Sequence, residues 1–133
     1  MPEIEFRILG PLEVSRNGRR VRLGGERQHA LLALLLLRAN EVVPSDRILE
    51  ELFRDGARDP ANALQVAISR LRRSLADGVL ETRPRGYLLH AGPDELDSAR
   101  FERLADEGRH QLAAGNAQVA AATFTAALEL WRG

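Results

Sequence analysis

The feature that most constrains the fold is a change of hydrophobic period early in the chain. Up to Leu23, large apolar residues alternate with polar ones, as in "EFRILGPLEV" at residues 5–14, which is typical of half-buried strands. Asn17-Gly18 adds a strong hairpin signal. From Glu26 onward, "ERQHALLALLLLRAN" has the composition of a helix. The pattern predicts three short antiparallel strands and then a helix.

The rest of the chain continues this order. Residues 44–53 and 60–78 each show an apolar face at helical spacing. "VLETRPRGYLLHAG" has two short apolar runs around a turn and predicts a second hairpin. The polar stretch "HAGPDELD" then precedes two further predicted helices, which Gly115-Asn116 separates. We expect two domains, residues 1–92 and 93–133.

The sequence lacks the residues that several classes of function require. The chain has no cysteine, which excludes disulfides and thiolate metal sites. Its three histidines, His29, His90 and His110, match no ligand spacing, and "LGGERQ" lacks the spacing of a phosphate-binding loop. We find no paired carboxylates or nucleophile motif. The expectation is a protein that is not an enzyme, with no catalytic residue, metal or cofactor.

The apolar segments are short. The longest, "ALLALLLL" at residues 30–37, is far below the roughly 20 residues that a membrane span needs. The first residues, "MPEIEFRIL", are acidic and polar, unlike a signal peptide. We expect a soluble cytoplasmic protein with no membrane partner, associated with the nucleoid when it is bound to DNA.

Charge is distributed unevenly. The net charge is zero, but residues 1–92 carry 15 basic and 12 acidic side chains, and residues 93–133 carry 4 and 7. Every basic side chain is an arginine, whose planar fork suits phosphate and guanine edges. This asymmetry indicates a polyanionic partner for the first part of the chain.

The third predicted helix has two different faces. Leu64, Ile68 and Leu71 fall on one narrow arc at about 100° per residue and predict a core stripe. The opposite face can read DNA, because arginine bonds guanine, asparagine bonds adenine and valine suits a thymine methyl. A solvated helix face is the alternative. The residues of that face are Asn62, Val66, Ser69, Arg70 and Arg73.

The second hairpin supports the DNA interpretation. Arg83, Arg85 and Gly86 lie at its predicted tip, where two cations can reach the sugar-phosphate backbone. A recognition helix followed by a basic ribbon is the arrangement of a winged helix-turn-helix, in which phosphate contacts supply affinity and base contacts supply selection.

These motifs also resemble a known family. Residues 6–90 resemble the OmpR/PhoB-type winged-helix domain in the N-terminal strands, in "ISRLRRSL" of the recognition helix and in "TRPRGYLL" of the wing. The remainder resembles the start of a bacterial transcriptional activation domain. Together they resemble the Streptomyces antibiotic regulatory protein (SARP) family. The resemblance implies an α+β fold whose N-terminal antiparallel sheet has four strands, the fourth near residues 40–44, and then the wing hairpin and an all-α helical hairpin.

The resemblance also implies a function. SARP-like regulators bind direct repeats in double-stranded DNA near promoters as tandem protomers or homodimers, and they recruit the RNA polymerase holoenzyme. The loop between the second and third helices, with Arg54, Asp55 and Arg58, matches the segment that can touch polymerase. Relatives usually have Trp where Phe53 stands, which puts that contact in doubt. Because no receiver domain precedes residue 6, we expect no control by aspartyl phosphorylation within this chain.

The C-terminal helices leave two interpretations open. Gly108, Ala120, Phe124 and Ala127 have spacings close to a tetratricopeptide-like repeat, and an ordinary helical hairpin is the alternative. One repeat cannot bury its own face, so we expect either a fragment of a longer activator or a tail packed on the winged helix or on a second copy. The competing function is a protein–protein interaction module with the winged helix as scaffold.

Overall fold

The computed structural model describes residues 3–54, 56 and 58–132. It begins with a three-stranded antiparallel sheet in the order β1-β2-β3. Phe6 lies opposite Val14 in this sheet, and both are buried. Asn17 and Gly18 take positive φ angles of 51° and 80°, which the tight turn after β2 requires. The strands are β1 (Ile4–Arg7), β2 (Glu13–Arg16) and β3 (Arg19–Arg20).

Three helices and a second antiparallel sheet follow. The apolar faces of the helices converge on one core, which also includes the inner face of β1 and β2. The N-terminal sheet and the helices therefore fold as one body. The elements are α1 (Glu26–Leu37), β4 (Val42–Pro44), α2 (Ser45–Leu52), α3 (Pro60–Ser74), β5 (Leu80–Arg83) and β6 (Gly86–Leu89).

The expected fourth strand forms, but it joins the other sheet. β4 pairs with β6, giving the order β4-β6-β5, and the N-terminal sheet keeps three strands. Asn40, in the segment after α1, bonds to the end of β6: its N–H donates to the Leu89 carbonyl at 2.8 Å. The Asn40 side chain also exchanges two hydrogen bonds with the backbone of Ala91. These bonds hold β4 beside β6.

The C-terminal part is a helical hairpin of α4 (Asp97–Ala113) and α5 (Ala117–Leu128). A Cβ on Gly108 would lie 2.5 Å from the Phe124 ring, so only glycine allows this approach of the two helices. The ring of Phe101 meets Trp131 edge-on, with centroids 5.7 Å apart. Within the described residues, no helix has both the length and the apolar character of a membrane span.

Asp97 joins the hairpin to the N-terminal sheet. The side chain is 5% exposed, and its two oxygens accept the backbone N–H groups of Ile8 at 2.8 Å and of Leu9 at 3.1 Å. Just before it, the Glu95 carbonyl accepts the Phe6 N–H at 2.6 Å. Each bond spans about 90 residues of sequence, so the start of α4 is fixed to the end of β1.

Arg132 makes a second connection at the same place. Its N–H donates to the Leu9 carbonyl at 3.1 Å. Its guanidinium donates to the Pro11 carbonyl at 2.7 Å and lies 3.2 Å from the Glu13 carboxylate. The same group lies 4.0 Å from the carboxylate of Asp97. Both ends of the helical hairpin therefore meet on residues 8–13.

Candidate nucleic-acid interface

Helix α3, the predicted recognition helix, is capped at its start and packed against the core on one face. Asp59 accepts the N–H of Asn62 at 3.1 Å through its side chain, and Pro60 occupies the first turn, where a missing N–H costs nothing. The predicted core stripe is confirmed, since Leu64, Ile68 and Leu71 are at most 3% exposed. The opposite face must therefore point away from the core.

That outward face contains all five predicted residues, and each is exposed: Asn62, Val66, Ser69, Arg70 and Arg73. Val66, which shares this face with the two arginines, is 42% exposed. Among the described residues, no hydrogen bond or ion pair engages the guanidinium of Arg70 or of Arg73. The face combines free cations, amide and hydroxyl groups with one aliphatic group.

Gln65 is a further member of this surface that the sequence interpretation omitted. It is exposed and lies one helical turn from both Asn62 and Ser69 by spacing, at the edge of the face. A second amide at this position adds a donor and an acceptor. The i, i+3 and i, i+4 spacing was the signal that could have revealed it.

Arg72 connects α3 to the wing. Its Nε donates to the Leu80 carbonyl at 3.2 Å, and its Nη2 donates to the Thr82 hydroxyl at 2.7 Å. The helical wheel places Arg72 on the flank between the core stripe and the outward face. This arginine therefore serves the fold, and it holds β5 at a fixed position beside α3.

The two wing arginines differ in environment. Arg83 lies 3.1 Å from the Glu81 carboxylate, which also accepts a hydrogen bond from His90 at 2.7 Å. The hydrogen bond from His90 is the main reason that the pKa of Glu81 is lowered, and the nearby Arg83 charge adds to it. Arg85 is exposed in the two-residue turn, and its carbonyl accepts the Ser45 N–H at 2.9 Å. Arg85 is thus the more available cation.

Gly86 was predicted as a wing contact, and the structure corrects this. It is buried, and a Cβ there would collide with the Val43 carbonyl oxygen. β4 crosses at this point, with Pro44 opposite Gly86 in the register. The absence of a side chain allows β4 to approach, so Gly86 shapes the wing and presents no group to a ligand.

The loop between α2 and α3 begins at a buried anchor. Phe53 is 3% exposed, and the guanidinium of Arg27 lies 4.6 Å from the centre of its ring. Phe53 therefore fixes the start of the loop. Arg54 and Arg58 are exposed, and Asp55 lies outside the described residues.

Comparison with known proteins agrees with this arrangement. Residues 18–89 match the family described as "Transcriptional regulatory protein, C terminal", and residues 96–133 match the family described as "Bacterial transcriptional activator domain". Regulatory protein DnrI of Streptomyces peucetius is 36% identical over 98% of this chain and 52% of its own length. Transcriptional regulatory protein MoaR1 of Mycobacterium tuberculosis is 34% identical over 98% of this chain and 44% of its own length.

A solved structure has the same fold over nearly the whole chain. Mycobacterium tuberculosis EmbR, in complex with a low-affinity phosphopeptide, superimposes with a TM-score of 0.92 at 30% identity. The match covers 98% of this chain and 36% of EmbR. The chain spans about half of the length of DnrI and less of the other two proteins. It belongs to the OmpR/PhoB-type transcriptional regulatory proteins, and its activator-domain segment makes it a SARP-type regulator.

Proposed function

We propose that this regulator binds double-stranded DNA in a sequence-specific manner and activates transcription. The observation that carries the proposal is the outward face of α3, where two arginines have no partner among the described residues and lie beside amide and methyl groups. The helix is held from behind by the core, and the wing is held beside it by Arg72. A rigid helix with an unsatisfied polar face suits direct readout in the major groove.

The residues have different roles in this proposal. Arg70, Arg73 and Asn62 contact base edges or adjacent phosphates, and Val66 contacts a thymine methyl. Arg85 reaches the backbone from the wing, with a smaller contribution from Arg83 because Glu81 already neutralises it in part. About five phosphate contacts would give a slope near −4 to −5 in log K against log salt.

The finer parts of the proposal concern assembly. Two protomers bind side by side on a direct repeat, and the loop with Arg54, Asp55 and Arg58 contacts the RNA polymerase holoenzyme. The anchored start of the loop at Phe53 supports a defined position for Arg54. The resemblance to SARP-type regulators supports the rest.

The experiment is a selection from random duplexes with the wild-type chain and with Arg70→Ala. We expect an enriched motif, and Arg70→Ala should relax the preference at one base pair by roughly 1–3 kcal/mol. Arg109→Ala is the matched control, because Arg109 is an exposed arginine on α4 that pairs with Asp106. Identical motifs for wild type and Arg70→Ala would contradict the assignment of α3 as the reading helix.

A second candidate is a protein–protein interaction module. Leu128 and Trp131 are 65% and 53% exposed, which leaves apolar surface at the end of α5. In this case the winged helix is a scaffold and the partner covers α5. It predicts no retardation of duplex DNA at about 0.1 M salt and a partner-dependent change in Trp131 fluorescence.

A further inference from the structure

The wing holds one carboxylate among its cations, and both oxygens of that carboxylate are engaged. Oε1 of Glu81 lies 3.1 Å from Nε of Arg83. Oε2 of the same group accepts a hydrogen bond from Nε2 of His90 at 2.7 Å. The three side chains are between 41% and 49% exposed. They therefore form one charged cluster at the surface of the β5–β6 hairpin.

The strand register fixes the direction of this cluster. Thr82 faces α3, because its hydroxyl accepts a hydrogen bond from Arg72 at 2.7 Å. Successive side chains of a strand point to opposite faces of the sheet, so Glu81 and Arg83 lie together on the face away from α3. Arg83 is opposite Gly86 in the register, immediately before the turn. The ion pair with Glu81 thus directs the guanidinium of Arg83 back along β5, away from the tip.

The tip carries the other wing arginine. Arg85 is exposed, and among the described residues no carboxylate meets its guanidinium. The end of the wing therefore has one cation that is available to a phosphate and one that an acid holds. A phosphate must compete with the Glu81 carboxylate for Arg83, and it is also repelled by the charge of that carboxylate. Both effects lower the affinity of the wing for a polyanion.

The energetics of the pair favour a role in binding over a role in folding. An exposed ion pair contributes little to stability, because water and salt screen it and two long side chains must be ordered. A cation released to a phosphate has a larger effect on binding, since each phosphate contact adds about 0.9 to the salt slope. The Glu81–Arg83 pair can therefore limit DNA affinity while adding little to the fold.

We propose that Glu81 is a positioning residue that keeps Arg83 away from the DNA backbone and so limits the sequence-independent affinity of the wing. The inference rests on the proposed function and adds a restraint to it. Phosphate contacts strengthen binding to every duplex and carry no sequence information. The restraint therefore weakens binding to random duplexes as much as binding to the preferred one, and the preference set by α3 is unchanged.

The first test compares Glu81→Gln with Glu51→Gln in the full chain. Glu51 is a matched control, because its carboxylate lies 3.1 Å from Nε of Arg47 and the two side chains are again 41% and 45% exposed. Both variants remove one negative charge, but only Glu81→Gln removes it from the wing.

The expected result is a gain of affinity. At about 0.1 M salt, Glu81→Gln should raise affinity roughly fivefold for selected and random duplexes alike and should steepen the salt slope by about 0.9. Glu51→Gln should change affinity by less than about twofold. Equal affinities for the two variants would overturn the proposal. Damage to the wing cannot imitate the expected result, because a damaged wing would bind DNA more weakly.

The second test asks whether Glu81 acts through Arg83. In the Arg83→Ala background, Glu81→Gln should raise affinity by less than about twofold, because no guanidinium remains to be released. A gain of the same size in both backgrounds would show that Glu81 acts by its own charge, and the positioning role would be wrong.

The outcomes also separate this inference from the proposed function. If wild type binds DNA and Arg70→Ala changes its preference while Glu81→Gln binds like Glu51→Gln, the role of Glu81 fails and the function stands. If wild type binds no duplex, both fail.

Discussion

The outward face of α3 and the junction between the N-terminal sheet and the helical hairpin use arginine in opposite ways. At the junction, Arg132 is about 20% exposed and has a carbonyl and two carboxylates within 4.0 Å. On α3, Arg70 and Arg73 are exposed, and their guanidinium groups meet no partner among the described residues. Both regions are charged, but of these three arginines only Arg132 has hydrogen-bond and ion-pair partners among the described residues.

This difference separates structural charge from charge available to a ligand. A guanidinium that is desolvated and paired contributes to stability, and its removal leaves other groups unsatisfied. A solvated guanidinium contributes little to folding, so its removal should affect binding alone. Arg72 lies between the two, on the binding helix but bonded inward. The following variants test the comparison in order of expected effect on stability.

Asp97→Ala should have the largest effect. It leaves the N–H groups of Ile8 and Leu9 without an acceptor in a buried position and should lower the free energy of unfolding by roughly 3 kcal/mol. Denaturant titration measures the change. Asp106→Ala, at an exposed acid of α4, is the control and should stay close to wild type. A small loss for Asp97→Ala would mean that the junction is dispensable.

Arg132→Ala should rank second, with a loss of roughly 2 kcal/mol. It removes the bond to the Pro11 carbonyl and the pairing with Glu13, and it leaves Asp97 with its backbone partners. Thermal unfolding at two salt concentrations tests it, because a partly buried pair is screened less than a surface pair. Arg109→Ala is the exposed counterpart. Equal losses of stability for Arg132→Ala and Arg109→Ala would contradict the proposed difference between paired and exposed arginines.

Arg72→Ala should cost about 1 kcal/mol through loss of the bonds to Leu80 and Thr82. The loss should be concentrated in the wing, so amide hydrogen exchange of β5 should accelerate more than that of α1. Uniform acceleration across the fold would show that Arg72 does not act as a local connection.

Arg70→Ala and Arg73→Ala should change stability by at most about 0.5 kcal/mol, because both side chains are solvated. Their effect should be on DNA affinity. Unfolding curves and duplex titrations on the same preparations check both statements. A loss of stability comparable with that of Arg132→Ala would place these arginines in the structural class.

The smallest effect concerns the wing carboxylate, Glu81. Its folded pKa lies below the ordinary 4.5, chiefly because of the hydrogen bond from His90. A depressed pKa means that this group stabilises the fold above its unfolded pKa and that the contribution is lost as the pH falls through the folded value. The stability difference between wild type and Glu81→Gln should therefore shrink below about pH 4. A difference that grows on acidification would reverse the assigned sign.

Local patterns predicted much of this fold and the exposure of the five outward residues of α3. The helical spacing of apolar residues distinguished the buried stripe of α3 from its exposed face, because this pattern depends only on residues within one helix. The β4–β6 pairing and the contacts of Asp97 and Arg132 were not predicted. The pairs Pro44–Gly86 and Pro11–Arg132 lie 42 and 121 positions apart, and period and composition carry no information about such pairs.

Gly86 shows the same limit at one position. In the sequence, a glycine next to two arginines in a turn predicts the tip of a hairpin. Only the close approach of the Val43 backbone to Gly86 shows that a side chain is excluded there. The resemblance to a family also placed β4 in the wrong sheet. The Asn40 bonds to the wing, which decide its partner, depend on the closure of the three-helix core.

The anchoring of both ends of the helical hairpin on residues 8–13 has a mechanical consequence. The free tip at Gly115 stands at the end of a helix of 17 residues, about 25 Å from its base. A sideways force at the tip acts through this lever arm and reaches β1 as a torque, opposed by the bonds of Asp97 and Arg132. Since β1 shares its core with α3, a force on the tip of the helical hairpin is transmitted to the same folded unit that contains α3.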